Sequence, residues 1–260
     1  MQCKICGEAA TPRPQRLVLK KHNVRYFQCP ACNFIQTEEP YWLDEAYPSA
    51  ISDLDPVNRA IRGARVVEDV ILAGFDPNAK FIDWGGGYGV FTHLMRDTGY
   101  DFYWSDRYCQ NLFAKQFAAN PEQTYELLTA FEVFEHLVDP LGEISTMLAR
   151  SRNILFTTVV PPSDPDKLTN WWYLTLEHGE HVSLYSLKSL QLLAERFDLH
   201  LASDGVDTHL LAVKPVSESP FKTIARDSRA ALIWQRLKVR KLSPPFRLLP
   251  DFRAVTGWDV

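Results

Sequence analysis

Apolar runs and polar breaks divide the middle of the chain into short strands and longer helices. Lys80 to Trp84 and Asp101 to Ser105 are apolar runs of strand length, and each ends in a glycine or polar turn. From Pro56 to Ala73 apolar residues recur every three to four positions; with Asp55 as N-cap and Gly74 as stop, this predicts a helix. The remaining predicted strands are a weak one near Leu112 to Phe117, then Glu126 to Phe131, Asn153 to Val159, Leu199 to Asp204 and Thr208 to Val213. Strands alternating with helices predict an α/β fold with a mostly parallel sheet.

The last two predicted strands are joined only by the short turn Gly205 to Asp207, so this pair is expected to be antiparallel. Three more elements flank the sheet. They are a small hairpin of Leu17 to Leu19 with Val24 to Phe27, a helix from Leu187 to Phe197 capped by Ser186, and a basic amphipathic helix from Lys222 to Lys241.

Four cysteines near the N-terminus form two Cys-x-x-Cys pairs separated by 22 residues. The pairs are Cys3 with Cys6 and Cys29 with Cys32. Two such knuckles can close a tetrahedral zinc site, and filling all four positions with protein ligands is typical of a structural rather than a catalytic site. Two disulfides are the alternative, but nothing in the sequence marks secretion. We therefore predict a zinc-ribbon-like module in which the metal stabilises a segment too short for its own core.

A glycine-rich turn follows the first strand of the predicted sheet. Its order is Asp83-x-Gly85-x-Gly87-x-Gly89, and a second acid, Asp106, ends the next strand 17 residues later. Glycines at this place let bare backbone approach a nucleotide-like ligand, and an acid at the second strand tip can accept hydrogen bonds from ribose hydroxyls. The spacing differs from the Gly-x-Gly-x-x-Gly of dinucleotide sites.

This turn resembles motif I of the class I S-adenosylmethionine-dependent methyltransferases. The resemblance implies a Rossmann-like sheet, mostly parallel with one reversed strand, and S-adenosylmethionine as cofactor. It also implies that Asp83, Gly85, Gly87, Gly89 and Asp106 bind that cofactor.

A second run, Phe131 to Pro140, contains Glu132 and then Glu135-His136-Leu137-x-Asp139-Pro140. It resembles the signature that follows the fourth strand of many small-molecule methyltransferases. The resemblance implies that Glu132 belongs to the cofactor site and makes His136 a candidate base. The alternative is that Glu135 and His136 only cap and orient the following helix.

A third run, Trp171 to Ser186, combines aromatic residues, carboxylates and two histidines, His178 and His181. Histidine is the side chain best suited to proton transfer near neutral pH. The pattern around His181 resembles the segment that supplies the base in zinc-module sugar C-methyltransferases. We predict His181 as the catalytic base, with His136 or His178 as substitutes.

Composition and charge limit the class of partner. The 260 residues are 46% hydrophobic, enough for a sizeable core. No apolar run approaches the roughly 20 residues of a membrane span, and the N-terminus lacks a signal-peptide pattern, so we expect a cytoplasmic protein. The net charge is −4, yet residues 220–253 carry nine basic against two acidic residues, a local +7. With −1 from Asp259, residues 1–219 carry −10, which disfavours a nucleic-acid binder.

Together these observations predict a methyltransferase acting on a small molecule, first of all a sugar, a nucleotide sugar or a glycan. A ribosomal RNA methyltransferase and a non-catalytic zinc-ribbon scaffold with a relict cofactor pocket are the alternatives. The basic tail is a candidate surface for a partner or an anionic glycan. The predicted parts are a zinc-binding module at residues 1–36, a linker at 37–55, a methyltransferase domain at 56–215 and a basic helical tail at 216–260.

Overall fold

A computed structural model describes residues 1–46, 56–164, 167–168, 170–216 and 243–258. The strands are β1 (Thr11–Pro12), β2 (Arg16–Val18), β3 (His22–Val24), β4 (Tyr26–Gln28), β5 (Ile35–Thr37), β6 (Lys80–Trp84), β7 (Asp101–Ser105), β8 (Leu127–Ala130), β9 (Ile154–Thr157), β10 (Ser183–Leu184), β11 (His200–Ser203) and β12 (Thr208–Ala212). The helices are α1 (Leu43–Ala46), α2 (Pro56–Gly74), α3 (Val90–Asp97), α4 (Pro140–Leu148), α5 (Leu187–Arg196) and α6 (Leu248–Thr256). None of the helices in these ranges is long and apolar enough to cross a membrane.

The main sheet has six strands in the order β11-β12-β9-β8-β6-β7. Strand β6 lies between β7 and β8 and is parallel to both, whereas β11 and β12 are antiparallel. Strands β6 and β8 are buried along most of their length because their side chains are apolar on both faces. The prediction of an α/β fold with a mostly parallel sheet and one reversed strand is confirmed.

The prediction of a weak strand near Leu112 to Phe117 was wrong. This segment forms turns and a short 3-10 helix at Lys115–Phe117, and beyond it Ala118 makes a single parallel bridge to Trp104 of β7. Its backbone bonds to the glycine turn instead: the amides of Leu112 and Phe113 both donate to the carbonyl of Tyr88. The other predicted strands agree with the structure to within a few residues.

The chain divides into two compact units. The first comprises Met1–Ser49, Glu132–Thr146 and Phe156–Lys214, and the second comprises Ala50–Phe131, Met147–Leu155 and Pro215–Val260. In the first unit β2 forms a hairpin with β3, whereas the predicted second strand, Val24 to Phe27, runs from the end of β3 into β4, which pairs with β1 and β5 instead. A four-stranded sheet of order β1-β4-β5-β10 joins the cysteine segment to the stretch after His181, since β5 pairs with β10.

In the second unit, helix α6 is attached through a buried ion pair. The guanidinium of Arg96 in α3 donates two hydrogen bonds to the Asp251 carboxylate, at 2.7 and 2.8 Å, and a third to Asp101. A bidentate pair fixes orientation as well as distance. The predicted N-cap Asp55 and the predicted helix from Lys222 to Lys241 lie outside the described residues. Helix α5 is present with Ser186 as its N-cap, as predicted.

Candidate functional site

The glycine turn after β6 has a backbone that only glycine adopts easily. Gly85, Gly87 and Gly89 have φ angles of 71°, 53° and 89°, in the left-handed region. The indole of Trp104 donates to the Gly87 carbonyl at 2.9 Å, and the Gly85 amide donates to the Ser105 carbonyl at 2.8 Å. The turn is therefore a bare stretch of backbone held in place by the neighbouring strand β7.

Asp106 holds this turn together. One carboxylate oxygen accepts from the Gly87 amide at 2.9 Å, and the other accepts from the amides of Tyr108 and Cys109 at 2.7 and 2.8 Å. A carboxylate has about four acceptor positions, so about one remains for a ligand hydroxyl. The sequence predicted Asp106 as a ribose contact, and the structure adds that it fixes the position of Gly87.

Asp83 lies beneath the same turn. Its carboxylate oxygens accept hydrogen bonds from the hydroxyls of Thr92 and Thr129, at 3.2 and 3.0 Å. A Cβ atom on Gly86 would stand 2.6 Å from one of these oxygens, so the carboxylate packs directly against the turn. Burial, opposed by the two hydroxyls, raises the pKa of Asp83 to about 7. Neither threonine was singled out by sequence reasoning, because a hydroxyl in an apolar strand or helix has no distinctive spacing.

The raised pKa of Asp83 gives a prediction about stability. Below about pH 4 the side chain is protonated in both the folded and the unfolded protein, and no stability is lost. Between about pH 4 and 7 the unfolded chain ionises first, so the ligand-free protein should lose about 1 kcal/mol per pH unit, levelling off above pH 7. Asp83→Asn cannot ionise, so its free energy of unfolding should rise relative to wild type over this range. Urea unfolding of both proteins at pH 5 and 7.5 measures the difference in free energy of unfolding between Asp83→Asn and wild type. The prediction is contradicted if this difference is the same at both pH values.

In the first unit, four residues from the second and third runs form a largely buried cluster. The Tyr173 hydroxyl donates to Glu135 Oε1 at 2.6 Å, and His181 Nε2 lies 4.0 Å from the same oxygen. Nδ1 of His181 lies 2.6 Å from the Tyr173 carbonyl oxygen, and the rings of His136 and His181 are 5.1 Å apart. The structure thus brings His136 and His181 together with Glu135 and Tyr173.

The electrostatics of this cluster follow from its burial. Burial, followed by the charge of Glu132, raises the pKa of Glu135 to about 8. Burial, followed by repulsion from His181, lowers the pKa of His136 to about 3, so His136 is neutral at physiological pH. Neutral imidazole nitrogens can act as bases or as metal ligands.

The other two residues predicted in these runs, His178 and Glu132, lie outside this cluster. His178 is exposed and does not belong to the cluster. Glu132 is exposed with φ 54°, and its carboxylate accepts from the Thr157 hydroxyl at 2.9 Å while its amide donates back to the same oxygen. Glu132 is thus held in a fixed turn directly after β8. Their cofactor and catalytic roles stay predictions.

The four N-terminal cysteines converge. The Sγ atoms of Cys3 and Cys32 are 3.6 Å apart, those of Cys6 and Cys29 3.5 Å, and those of Cys6 and Cys32 3.7 Å. A tetrahedral zinc with bonds of about 2.3 Å separates its sulfur ligands by about 3.8 Å, whereas a disulfide needs about 2.05 Å. All four cysteines are free thiols, so the donor set and its spacing fit zinc and not two disulfides.

The knuckle geometry supports the same assignment. Gly7 and Asn33, each one residue after a Cys-x-x-Cys pair, have φ angles of 81° and 58°. Backbone hydrogen bonds from Gly7 to Cys3 and from Asn33 to Cys29 close the two turns. The sequence spacing alone was a sufficient signal for this cluster.

Comparison with known proteins gives one family match. A family model described as "Methyltransferase domain" matches residues 59–203, more than half of the chain. Curated proteins gave no match. Solved structures that are similar include OxaC, which is 16% identical with a TM-score of 0.47 over 66% of this chain and 52% of that chain. TnmH is 15% identical with a TM-score of 0.44 over 67% of this chain and 62% of that chain. Magnesium protoporphyrin IX methyltransferase from Synechocystis PCC 6803, with SAH bound, is 12% identical with a TM-score of 0.41 over 65% of this chain and 90% of that chain. The chain thus spans about three fifths of the length of TnmH and about half that of OxaC.

Proposed function

Since the chain belongs to the methyltransferase-domain family through residues 59–203, we propose that it transfers a methyl group from S-adenosylmethionine to a small-molecule acceptor. A sugar, a nucleotide sugar or a glycan is the first candidate for that acceptor. The observation that carries the proposal is the glycine turn after β6, with three left-handed glycines and an acid that fixes Gly87.

The residues of the turn fit the cofactor. Bare backbone at Gly85, Gly87 and Gly89 allows close approach of the methionine portion, and Asp106 has acceptor capacity for a ribose hydroxyl. Asp83 shapes the turn from below, and its buried carboxylate favours a positively charged group above it. When bound, S-adenosylmethionine supplies a methyl group that is already electrophilic.

An acceptor hydroxyl must also lose its proton during transfer, because its pKa is far above neutral. We assign this step to His181, with His136 as the second candidate and His178 as the third. Support comes from the hydrogen-bonded position of His181: Nδ1 pairs with the Tyr173 carbonyl, so Nε2 carries the lone pair whenever the ring is neutral. Tyr173 thereby orients the imidazole and, through its hydroxyl, the neighbouring Glu135.

One experiment tests the function as a whole. Calorimetry with S-adenosylhomocysteine measures cofactor binding, and labelled S-adenosylmethionine with a panel of nucleotide sugars, glycans and RNA identifies the acceptor. Binding together with label on a sugar-containing acceptor supports the proposal. Label on RNA, with transfer falling steeply as salt rises, would indicate the RNA methyltransferase instead. Absence of binding would indicate the non-catalytic scaffold.

We also propose that Cys3, Cys6, Cys29 and Cys32 hold one structural zinc ion. Metal analysis should find about one thiolate-bound zinc per chain. Cys29→Ser should lose it and unfold the N-terminal module, since binding of a structural zinc can contribute about 10 kcal/mol or more. Affinity for S-adenosylhomocysteine should stay nearly intact, because Asp83, the glycine turn and Asp106 belong to the second unit. Cys109→Ser, a change of the one cysteine outside the cluster, is the matched control. Stably folded, metal-free protein from a reducing preparation would contradict the zinc site.

A further inference from the structure

The cluster in the first unit offers three atoms with the chemistry of metal ligands. Glu135, His136 and His181 each contribute one such atom, and the three atoms lie within 4.8 Å of one another. In a tetrahedral site, two metal–ligand bonds of about 2.1 Å place their ligand atoms about 3.4 Å apart. Any two of the ligand atoms therefore need to approach each other by at most about 1.4 Å to hold one ion. We propose that these three residues bind a divalent metal ion, separate from the cysteine cluster.

The donor set indicates the kind of metal. Two imidazole nitrogens and one carboxylate oxygen suit Zn²⁺, Fe²⁺, Co²⁺ or Mn²⁺. The cysteine cluster, with four sulfur donors, favours zinc and other thiolate-binding metals instead. A probe metal therefore distinguishes the two sites, because its absorption spectrum shows whether its ligands are sulfur atoms or nitrogen and oxygen atoms.

Tyr173 supports the ligands in the way that metal sites require. A histidine that binds a metal through one nitrogen nearly always donates its other N–H to a carbonyl or carboxylate. Nδ1 of His181 makes this bond to the Tyr173 carbonyl at 2.6 Å, which directs Nε2 to the side of Glu135. The Tyr173 hydroxyl holds Glu135 Oε1 at 2.6 Å. One residue thus orients two of the three ligands.

The second oxygen of Glu135 has room for a further ligand. The side chain is fully buried, and Oε2 makes no hydrogen bond of normal geometry among the described residues, although the Thr158 hydroxyl, itself without such a bond, is close enough to lower the pKa of Glu135. A buried carboxylate oxygen without a partner is costly, and a cation compensates that cost more fully than a neutral donor does.

The metal site and the proposed base use the same lone pair. A cation on Nε2 of His181 excludes a proton there, and in the metal-bound protein the cation would lower the pKa of a bound hydroxyl instead.

The metal proposal does not depend on methyl transfer. It is tested by binding in the absence of acceptor, so its failure leaves the proposed function unaffected.

The test uses full-length protein whose cysteine cluster has first been loaded with one equivalent of zinc. Co²⁺ is titrated in, with calorimetry for affinity and stoichiometry and visible absorption for ligand type. We expect one Co²⁺ per chain with a nitrogen and oxygen ligand spectrum and no thiolate charge-transfer band. Glu135→Gln and His181→Asn should each weaken binding by at least about 100-fold. Tyr173→Phe, which removes only the hydroxyl bond to Glu135, should weaken it by about 10- to 100-fold.

The control is His200→Ala, which removes an exposed histidine of β11 and should leave Co²⁺ affinity unchanged. Circular dichroism confirms folding, and Glu135→Gln tests the site at almost constant shape if a histidine variant fails to fold. The proposal is overturned if the zinc-loaded wild type binds no Co²⁺. It is equally overturned if Co²⁺ binds only through thiolates, or if Glu135→Gln binds as tightly as wild type.

Discussion

Gly87→Val is expected to abolish measurable binding of S-adenosylhomocysteine, a loss of at least about 100-fold, or about 3 kcal/mol. Gly87 has φ 53°, which a β-branched residue strongly resists, and its amide and carbonyl are bonded to Asp106 and Trp104. Valine would shift the turn and place two methyl groups where bare backbone is needed. Calorimetry with both proteins, after folding is verified, measures the effect.

The matched control is Gly205→Val. Gly205 also has a left-handed φ, 82°, and a Cβ atom there meets nothing within 4 Å. It should therefore carry a similar backbone strain without any loss of cofactor affinity. If both variants bind like wild type, the glycine turn is not the cofactor site.

Asp106→Ala is a second test of the same site. It removes the acceptor for a ribose hydroxyl, a charge-assisted bond worth about 1.5–3 kcal/mol, and it also releases three backbone amides of the turn. We expect affinity to fall by at least about 10-fold, together with some loss of stability. Wild type that fails to bind S-adenosylhomocysteine, or Asp106→Ala that binds it equally well, would remove the basis of the cofactor assignment.

His181→Ala is expected to lower turnover by about 10²–10⁴-fold while cofactor affinity stays unchanged, because a general base contributes a factor of this size. Steady-state kinetics of labelled methyl transfer, with the acceptor identified by the panel, measures the change. For an acidic acceptor the deficit should shrink at high pH, because the acceptor then ionises without help. His136→Ala should cost less, since His181 is the ring that Tyr173 orients.

His181 is buried, so thermal unfolding must show that the variant is folded, and the exposed His200→Ala serves as the activity control. If His181→Ala turns over normally while His136→Ala fails, the base is His136. If neither substitution matters in folded protein, positioning of the acceptor alone carries the reaction.

The sequence determined the features that depend on neighbours along the chain. The three glycines of the turn, the spacing of the four cysteines and the helical period from Pro56 onward are local patterns with a direct backbone meaning. A left-handed φ needs glycine, and two knuckles of fixed length bring four thiolates to one point. These are the parts that the structure confirms in detail: the φ angles of Gly85, Gly87 and Gly89, and the sulfur separations near 3.6 Å.

Only the tertiary structure decided which distant residues meet. Tyr173 and Glu135 are 38 positions apart, and no pattern in the sequence pairs a tyrosine hydroxyl with one particular carboxylate. The prediction of a weak strand near Leu112 failed for a related reason, because its backbone amides bond to the carbonyl of Tyr88, 24 positions away, and not to a neighbouring strand. Burial also decided the pKa of Asp83 and Glu135, since desolvation depends on everything packed around a group. The sequence thus named most of the candidate residues, and packing determined which of them share an environment.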